Sequence, residues 1–379
     1  MIYLDNAATS FPKPETVYQT LDRFARQSLA NPGRAGHKMA LAAERALDDA
    51  RHLLNQFFHG EGPERFVFTL NCTDALNMAF KGVLAEGDHV ITTDLEHNSV
   101  SRPLRQMELD GRITLTRVRA DSGGTIDPDD IRRAITLRTR LIALTHASNV
   151  LGTVQPIADV GRIARERDLL FLVDAAQTAG VVPIDIQAMA IDLLAFPGHK
   201  SLLGPTGTGA LYAGPRVRVR AWREGGTGGD SASETQPREL PYFLEGGTPN
   251  VLGVAGLAAG IQYVQEQGIE RIRAHEVMLT ERLWRRLEEI GGYQVYGHRD
   301  PARRVGTLSF RSELLPAAEL GGILDQAFDV AVRPGLHCAP YIHRSLGTFP
   351  EGTVRVSPGP FNTEEDIDYL ARALAEIGA

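Results

Sequence analysis

The chain has 379 residues, a formal charge of -7 and an isoelectric point near 5.9. That length buries a large core and suits two domains, and the acidic balance argues against nucleic acid as a main partner. No apolar run reaches the roughly 18 residues that span a bilayer, and the start MIYLDNAATS has no basic region followed by an apolar one, so it reads as neither membrane anchor nor secretory signal.

Two cysteines, Cys72 and Cys338, cannot build a disulfide framework and fit a reducing cytoplasm. Residues 1–14 read as extended, because Pro12 and Pro14 forbid an early helix. The segment 15–30 carries Val17, Leu21, Phe24 and Leu29 at helical spacing. A turn, NPGRAGH, leads into a long helix over 38–58 with Leu41, Leu47, Leu54 and Phe58 inward. From Arg65 the pattern changes to short alternating elements. Strands are expected at 66–70, 89–92, 113–118, 141–145, 169–173 and 193–196, with a further one at 209–212. Helices are expected at 74–84, 98–109, 128–136 and 157–167. Such alternation predicts an α/β fold with a mainly parallel sheet and helices on both faces.

The segment 225–241, rich in Gly, Ser, Thr and Glu, is a candidate mobile loop. Beyond Asn250 the spacing predicts helix over 254–290, broken near Gly268, then strands at 293–296, 305–310, 330–333 and 353–356 with helices at 317–327 and 364–377. This is a smaller α+β unit. The expected division is a large domain of residues 15–260 and a small C-terminal domain of 261–379 joined by 1–14.

Chemistry gathers where the expected strands end. The run FLVD stops on Asp174, with Gln177 after it, and LLAFPGHK delivers His199 and Lys200 before the glycine-rich 204–209 segment. A lysine there can condense with an aldehyde cofactor, and a carboxylate can pair with a protonated pyridine nitrogen. In NCTD, the helix start and the Thr73 hydroxyl suit a phosphate, although Thr73 or Asp74 would equally cap the helix. His97 in EHN suits stacking over an aromatic ring or proton transfer, and Asn149 suits a phenolic oxygen or a carboxylate. Taken singly each is an ordinary turn or cap residue. Thr73, His97, Asn149 and Asp174 together mark the carboxyl edge of a sheet, where ligands bind in open α/β folds.

Two more groups follow. Cys338 lies in RPGLHCAP, where Arg333 and His337 would favour a thiolate. Arg355, inside the apolar TVRV, needs an anion: a substrate carboxylate or a structural partner.

The ordered series NAAT, TDALN, EHN, SNVLGT, VDAAQ, GHK, GPTGTG, GGTPN and RPGLHC resembles the class V aminotransferases of pyridoxal phosphate fold type I. Within them it resembles the cysteine desulfurases, closest to the group with a short catalytic-cysteine loop. The likeness runs from Tyr3 to the C-terminal helix. It implies that pyridoxal 5'-phosphate is carried on Lys200, with Asp174 at the pyridine nitrogen and Gln177 at the phenolic oxygen. It places His97 against the ring, Thr73 and His199 at the phosphate, and Asp74 and Asn149 among the cofactor-binding residues. Thr248 would reach the phosphate of a neighbouring subunit, which implies a homodimer with shared active sites. Asn149 and Arg355 would hold the substrate carboxylate, with Arg333 and His37 near it. Cys338 would take sulfur from L-cysteine and hand it to an acceptor protein.

The sequence departs from the family's pattern twice. Pro197 stands where many relatives have serine, and Leu336 where relatives often have histidine. The same residues would serve a selenocysteine lyase, another C–S lyase or a transaminase of the class. A scaffold without catalysis would not need Lys200 and Asp174.

Overall fold

The structure, a computed structural model, describes residues 1–33, 36–227 and 232–378, so residues 228–231 of the expected mobile loop lie outside the described residues. Its main sheet has seven strands. Their order across the sheet is Phe66–Thr69, Gly209–Ala213, Leu193–Pro197, Leu170–Asp174, Thr139–Thr145, Asp88–Thr93 and Ile113–Val118. Only Gly209–Ala213 runs against its neighbours. The carboxyl ends of the other six therefore share one edge.

Apolar residues face both sides of these strands, which is what two covering layers of helix demand. Phe171, Val173, Leu194 and Phe196 pack with Leu47 and Leu54 of helix Lys38–Phe57 and with Val254, Leu257 and Ile261 of helix Val251–Gln267. Leu170, Leu172, Leu193 and Ala195 pack on the opposite side with residues of helices Cys72–Val83 and Asn98–Leu109. A four-stranded antiparallel sheet, in the order Arg333–Gly335, Thr353–Val356, Leu308–Ser312 and Tyr293–Tyr296, has its own core with helices Ile269–Ile290, Ala317–Phe328 and Glu364–Gly378. The N-terminal strand Ile2–Tyr3 pairs in parallel with Val330–Ala331.

The expected α/β architecture is present, with local differences. The first helix ends at Gln27, so Leu29 lies beyond it and is exposed. Leu41 is exposed too: the buried stripe of its helix runs through Ala40, Ala43, Leu47, Ala50 and Leu54, which leaves Leu41 one step off the face. The expected strand 330–333 is two strands that pair with different partners, Ile2–Tyr3 and Thr353–Val356. The strand expected from 305 starts at Leu308, because Val305 N donates instead to Gly152 O at 2.9 Å. Gly152 has φ of 70°, and a Cβ there would meet Thr307 O at 2.6 Å, so this close approach needs glycine. The six-residue helix Pro340–Ser345 is too short to show periodicity in sequence. No helix among the described residues is long and apolar enough to cross a membrane.

Glu276, in helix Ile269–Ile290, is buried against Gly306, and burial alone pushes its carboxyl up to about 8. The folded chain thus binds this proton more tightly than the unfolded chain, where the ordinary value is 4.5. The stability so gained is complete below the unfolded value and is lost as pH rises through the folded one. Glu276→Gln is therefore expected to raise Tm by about 2 °C or more near pH 8. The gain should shrink as pH falls toward 5, which thermal melts across that range will read.

Candidate active site

The shared strand edge opens into a cavity of about 200 Å³. Thr73, His97, Asn149, Asp174, Gln177, His199, Lys200, Arg333 and Arg355 all line it. Cys338 lines an adjoining, more open groove together with Thr73 and His97. Asp74 does not line the cavity: its N–H donates to Asn71 Oδ1 at 2.9 Å, which makes Asn71 the cap of helix Cys72–Val83. His37 is exposed and caps its own helix by accepting from Ala40 N. Thr248 lines a different hollow, beside Arg51 and Glu245. Neither lies in this chain's cavity.

Lys200 follows the strand Leu193–Pro197 through the tight Gly198-His199 link. A Cβ on Gly198 would meet Thr208 Oγ1 at 2.2 Å, so the link packs against the glycine-rich segment only as glycine. Burial, and then Arg355, push the Lys200 ammonium down to about 8 against the opposing pull of Asp174. Near neutrality the amine is thus available in both protonation states. Since the neutral amine is the nucleophile, capture of an aldehyde cofactor by the apoprotein is expected to quicken up to about tenfold per pH unit below 8 and to level off above it. Stopped-flow absorbance across pH will measure this.

Asp174 closes the strand Leu170–Asp174 and is buried. Burial raises its carboxyl above the ordinary carboxylate value, opposed by the hydrogen bond from Ala176 N and by Lys200. Cys72 Sγ lies 3.5 Å from Asp174 Oδ1, and burial holds that thiol well above its ordinary value, so it stays protonated and donates. A buried carboxylate with this donor set is suited to a cationic partner in the cavity.

His97 accepts from Ser99 N at 3.1 Å on Nδ1, which places its proton on Nε2. Burial and the nearby cations, Lys200 first, push it down to about 4, so it is neutral at pH 7. Ser99 Oγ also bonds Thr73 Oγ1 at 2.7 Å. His199 is likewise held near 4 by burial, and its buried Nδ1 has no partner among the described residues. The first turn of helix Cys72–Val83, the Thr73 hydroxyl and His199 therefore make a donor-rich end suited to a phosphate.

The cysteine loop docks by backbone. Asn98 N donates to Cys338 O at 2.6 Å, and Asn149 Nδ2 donates to His337 O at 2.6 Å. One amide proton of Asn149 is thus spent on the loop. His337 and Cys338 have φ of 49° and 58°, two consecutive left-handed residues that these bonds help to hold. His337 is buried and its ring is held well below the ordinary value, mostly by burial, so it brings no charge to the sulfur. The cation at Cys338 is Arg333, whose Nη2 donates to Sγ at 3.5 Å.

Arg355 finds its anion within the chain. Its Nη2 donates to Asp5 Oδ1 at 2.6 Å and its Nη1 to Asn149 O at 3.1 Å, while Nε is buried with no partner among the described residues. The need for an anion was readable in the sequence, but Asp5 is 350 positions away and no spacing points to it. Glu96, a neighbour of His97, has no local signal in the sequence that sets it apart from an ordinary loop acid. It is fully buried, accepts from Thr93 Oγ1 and Thr145 N, and is pushed up to about 8 by burial.

Pyridoxal phosphate fits this constellation: an amine on Lys200, an acceptor at Asp174, a flat neutral imidazole at His97 and anion donors at one end. Pro197 lines the cavity but has no hydroxyl to offer a phosphate.

Comparison with known proteins agrees with the geometry. A "Probable cysteine desulfurase" of Methanothermobacter thermautotrophicus is 38% identical over 385 residues, covering 99% of this chain and 94% of the relative. A "Cysteine desulfurase" of Yersinia pseudotuberculosis is 33% identical, covering 100% of this chain and 93% of the relative. The apo structure of a cysteine desulfurase from Thermococcus onnurineus superposes with a TM-score of 0.94 at 32% identity, covering 99% of this chain and 94% of that one. A cysteine desulfurase structure from Escherichia coli gives 0.89 at 28% identity, with 99% and 94% covered. The family model for "Aminotransferase class-V" matches residues 2–370, and the chain belongs to that family.

Proposed function

We propose that the protein is a pyridoxal phosphate-dependent cysteine desulfurase, which converts L-cysteine to L-alanine and carries the sulfur on Cys338. The observation that carries this reading is the placement of Cys338, with Arg333 on its sulfur, at the mouth of the cavity that holds Lys200 and Asp174. Within the family we place it with the enzymes of short cysteine loop, since the loop is tied at both His337 O and Cys338 O.

When bound, pyridoxal phosphate supplies an aldehyde that condenses with amines and a ring that withdraws electrons from the substrate α-carbon. Lys200 would carry it, and Asp174 would hold the proton on its ring nitrogen. Gln177 would face its phenolic oxygen, and His97 would lie on its face with the proton on Nε2. Thr73 and His199 would bind its phosphate, and Thr248 would serve the site of a second copy, in a homodimer. Lys200 Nζ, titrating near 8, would take the substrate α-proton and return a proton to the product. Arg355, through its unpartnered Nε, would orient the substrate carboxylate with Asn149 and Arg333. His37, exposed at the start of its helix, would act near the substrate only if it were brought to the cavity. Cys338 Sγ then takes the sulfur: the substrate Cβ–Sγ bond breaks, an S–S bond forms on Cys338, and the carbon skeleton leaves as alanine. A thiol or an acceptor protein would remove the outer sulfur. We also read residues 15–260 and 261–379 with 1–14 as the two domains, and the cytoplasm as the compartment.

The test is the stoichiometry of the loaded enzyme given cysteine and a reductant. Alanine and sulfide in equal amounts support the reading. Pyruvate and ammonia in place of alanine would make it a lyase of another kind, and a preference for selenocysteine would move it to the selenium branch.

A further inference from the structure

The turn that presents Lys200 is held from behind by the N-terminal segment. His199 O accepts from Ser10 N at 3.1 Å, from Thr9 Oγ1 at 3.2 Å and from the Lys13 ammonium at 2.7 Å. A carbonyl has two lone pairs, and the ammonium is the closest of these donors. Lys13 Nζ also donates to Ser10 Oγ at 2.6 Å. With its oxygen engaged by the ammonium, the Ser10 hydroxyl directs its own proton to Lys200 O, 2.9 Å away, in preference to His199 O at 3.2 Å. One ammonium thus fixes the His199 carbonyl directly and the Lys200 carbonyl through a single hydroxyl.

This is an unusual use of a lysine. Lys13 is half-buried, and burial alone pushes it down to about 8, with no carboxylate offsetting that cost among the described residues. A half-buried cation without a carboxylate is expensive unless its donors are well used. Here both bonds its ammonium makes among the described residues go to the turn that carries Lys200 or to the hydroxyl that serves it. Its charge also helps to keep the His199 ring neutral. An ordinary surface lysine would do neither.

We propose that Lys13 is a positioning residue: by fixing the His199 and Lys200 carbonyls on the far side of the turn, it sets the direction in which the Lys200 amine and the His199 ring enter the cavity, and so governs cofactor capture. The proposal rests on Lys200 and His199 being the cofactor's ligands.

Lys13→Met keeps the aliphatic stem and removes the donor. Hydrogen bonds from charged groups are the stronger class, so the Kd of the apoprotein for pyridoxal phosphate is expected to rise about tenfold or more. The pH midpoint of the visible absorbance of the lysine–cofactor adduct is expected to move by about half a unit or more, because the local charge has changed. Lys13→Arg should recover most of both values, and Ser10→Ala should shift them in the same direction by less. Thermal melts are recorded beside them. A fall in Tm with Kd and midpoint unchanged in the Met and Ala variants means structural support only, and overturns the proposal. Should the Met variant not fold, Ser10→Ala and Lys13→Arg carry the decision by the same two values. Wild-type protein that captures the cofactor yet releases no alanine from cysteine would defeat the desulfurase reading and leave the Lys13 result standing.

Discussion

Lys200→Ala is expected to lower alanine formation from cysteine by about a thousandfold or more, the upper range for removing a positioned acid–base group. The reason is that nothing else in the cavity can take over. His97 and His199 are each held near 4, mostly by burial, so both are poor bases at neutral pH. Asp174 is a carboxylate committed to Ala176 N and Cys72 Sγ. Arg333 and Arg355 are cations with no proton-accepting form. Among these cavity groups Lys200 alone titrates near 8, because burial and Arg355 depress it while Asp174 resists. The loss should persist at every pH between 7 and 9, since no second base comes into range there. Single-turnover alanine formation is the measurement. A variant that kept more than about a tenth of wild-type activity would mean that the proton passes through another group, and the assignment of Lys200 would fall.

Why were some of these groups visible in the chain and others not? Asp174 ends its buried strand, Lys200, His97 and Thr73 sit three or four residues beyond theirs, and a parallel sheet brings such positions to one edge whatever the loops do. Their convergence follows from topology, so local pattern was enough. The partners that tune them depend instead on which loops pack together across the chain. Asp5 meets Arg355 because Ile2–Tyr3 pairs with Val330–Ala331 and Asp5 bridges to Ser357. Lys13 meets His199 because the segment after Asp5 runs against the turn that carries Lys200. Neither leaves a periodic trace. The same distinction explains His37 and Thr248, whose expected roles came from family resemblance: a single copy of the chain keeps both outside the cavity. It also explains His337, where proximity in sequence to Cys338 suggested a charge that burial removes. In the fold, the long elements matched their periodicity, while the split at 330–335 and the helix Pro340–Ser345 were set by tertiary pairing of pieces too short to carry a pattern.

Cys338→Ala carries the second large effect, and it separates two jobs that Lys200→Ala merges. The cavity residues do not depend on the thiol: Asn149 bonds the His337 carbonyl and Asn98 bonds the carbonyl of position 338, both backbone atoms that alanine retains. The variant should therefore bind pyridoxal phosphate with wild-type affinity and absorbance. Turnover is another matter. The substrate sulfur leaves only if an acceptor takes it, and the proposed acceptor is the sulfur that Arg333 bonds from 3.5 Å, which the loop places at the groove. Without it, alanine and sulfide should fall together by about a hundredfold or more, as expected when a nucleophile is removed and the rest of the site stays intact. Arg333→Gln should fall between the two, because it removes the cation from the sulfur while leaving the thiol in place. Two failures would have different meanings. Loss of cofactor along with activity would show that the loop supports the cavity and that the kinetic result says nothing about sulfur. Full retention of alanine production in Cys338→Ala would show that sulfur departs without a protein acceptor, which would make Cys338 a bystander and place the enzyme among the class V members that cleave or transaminate without one.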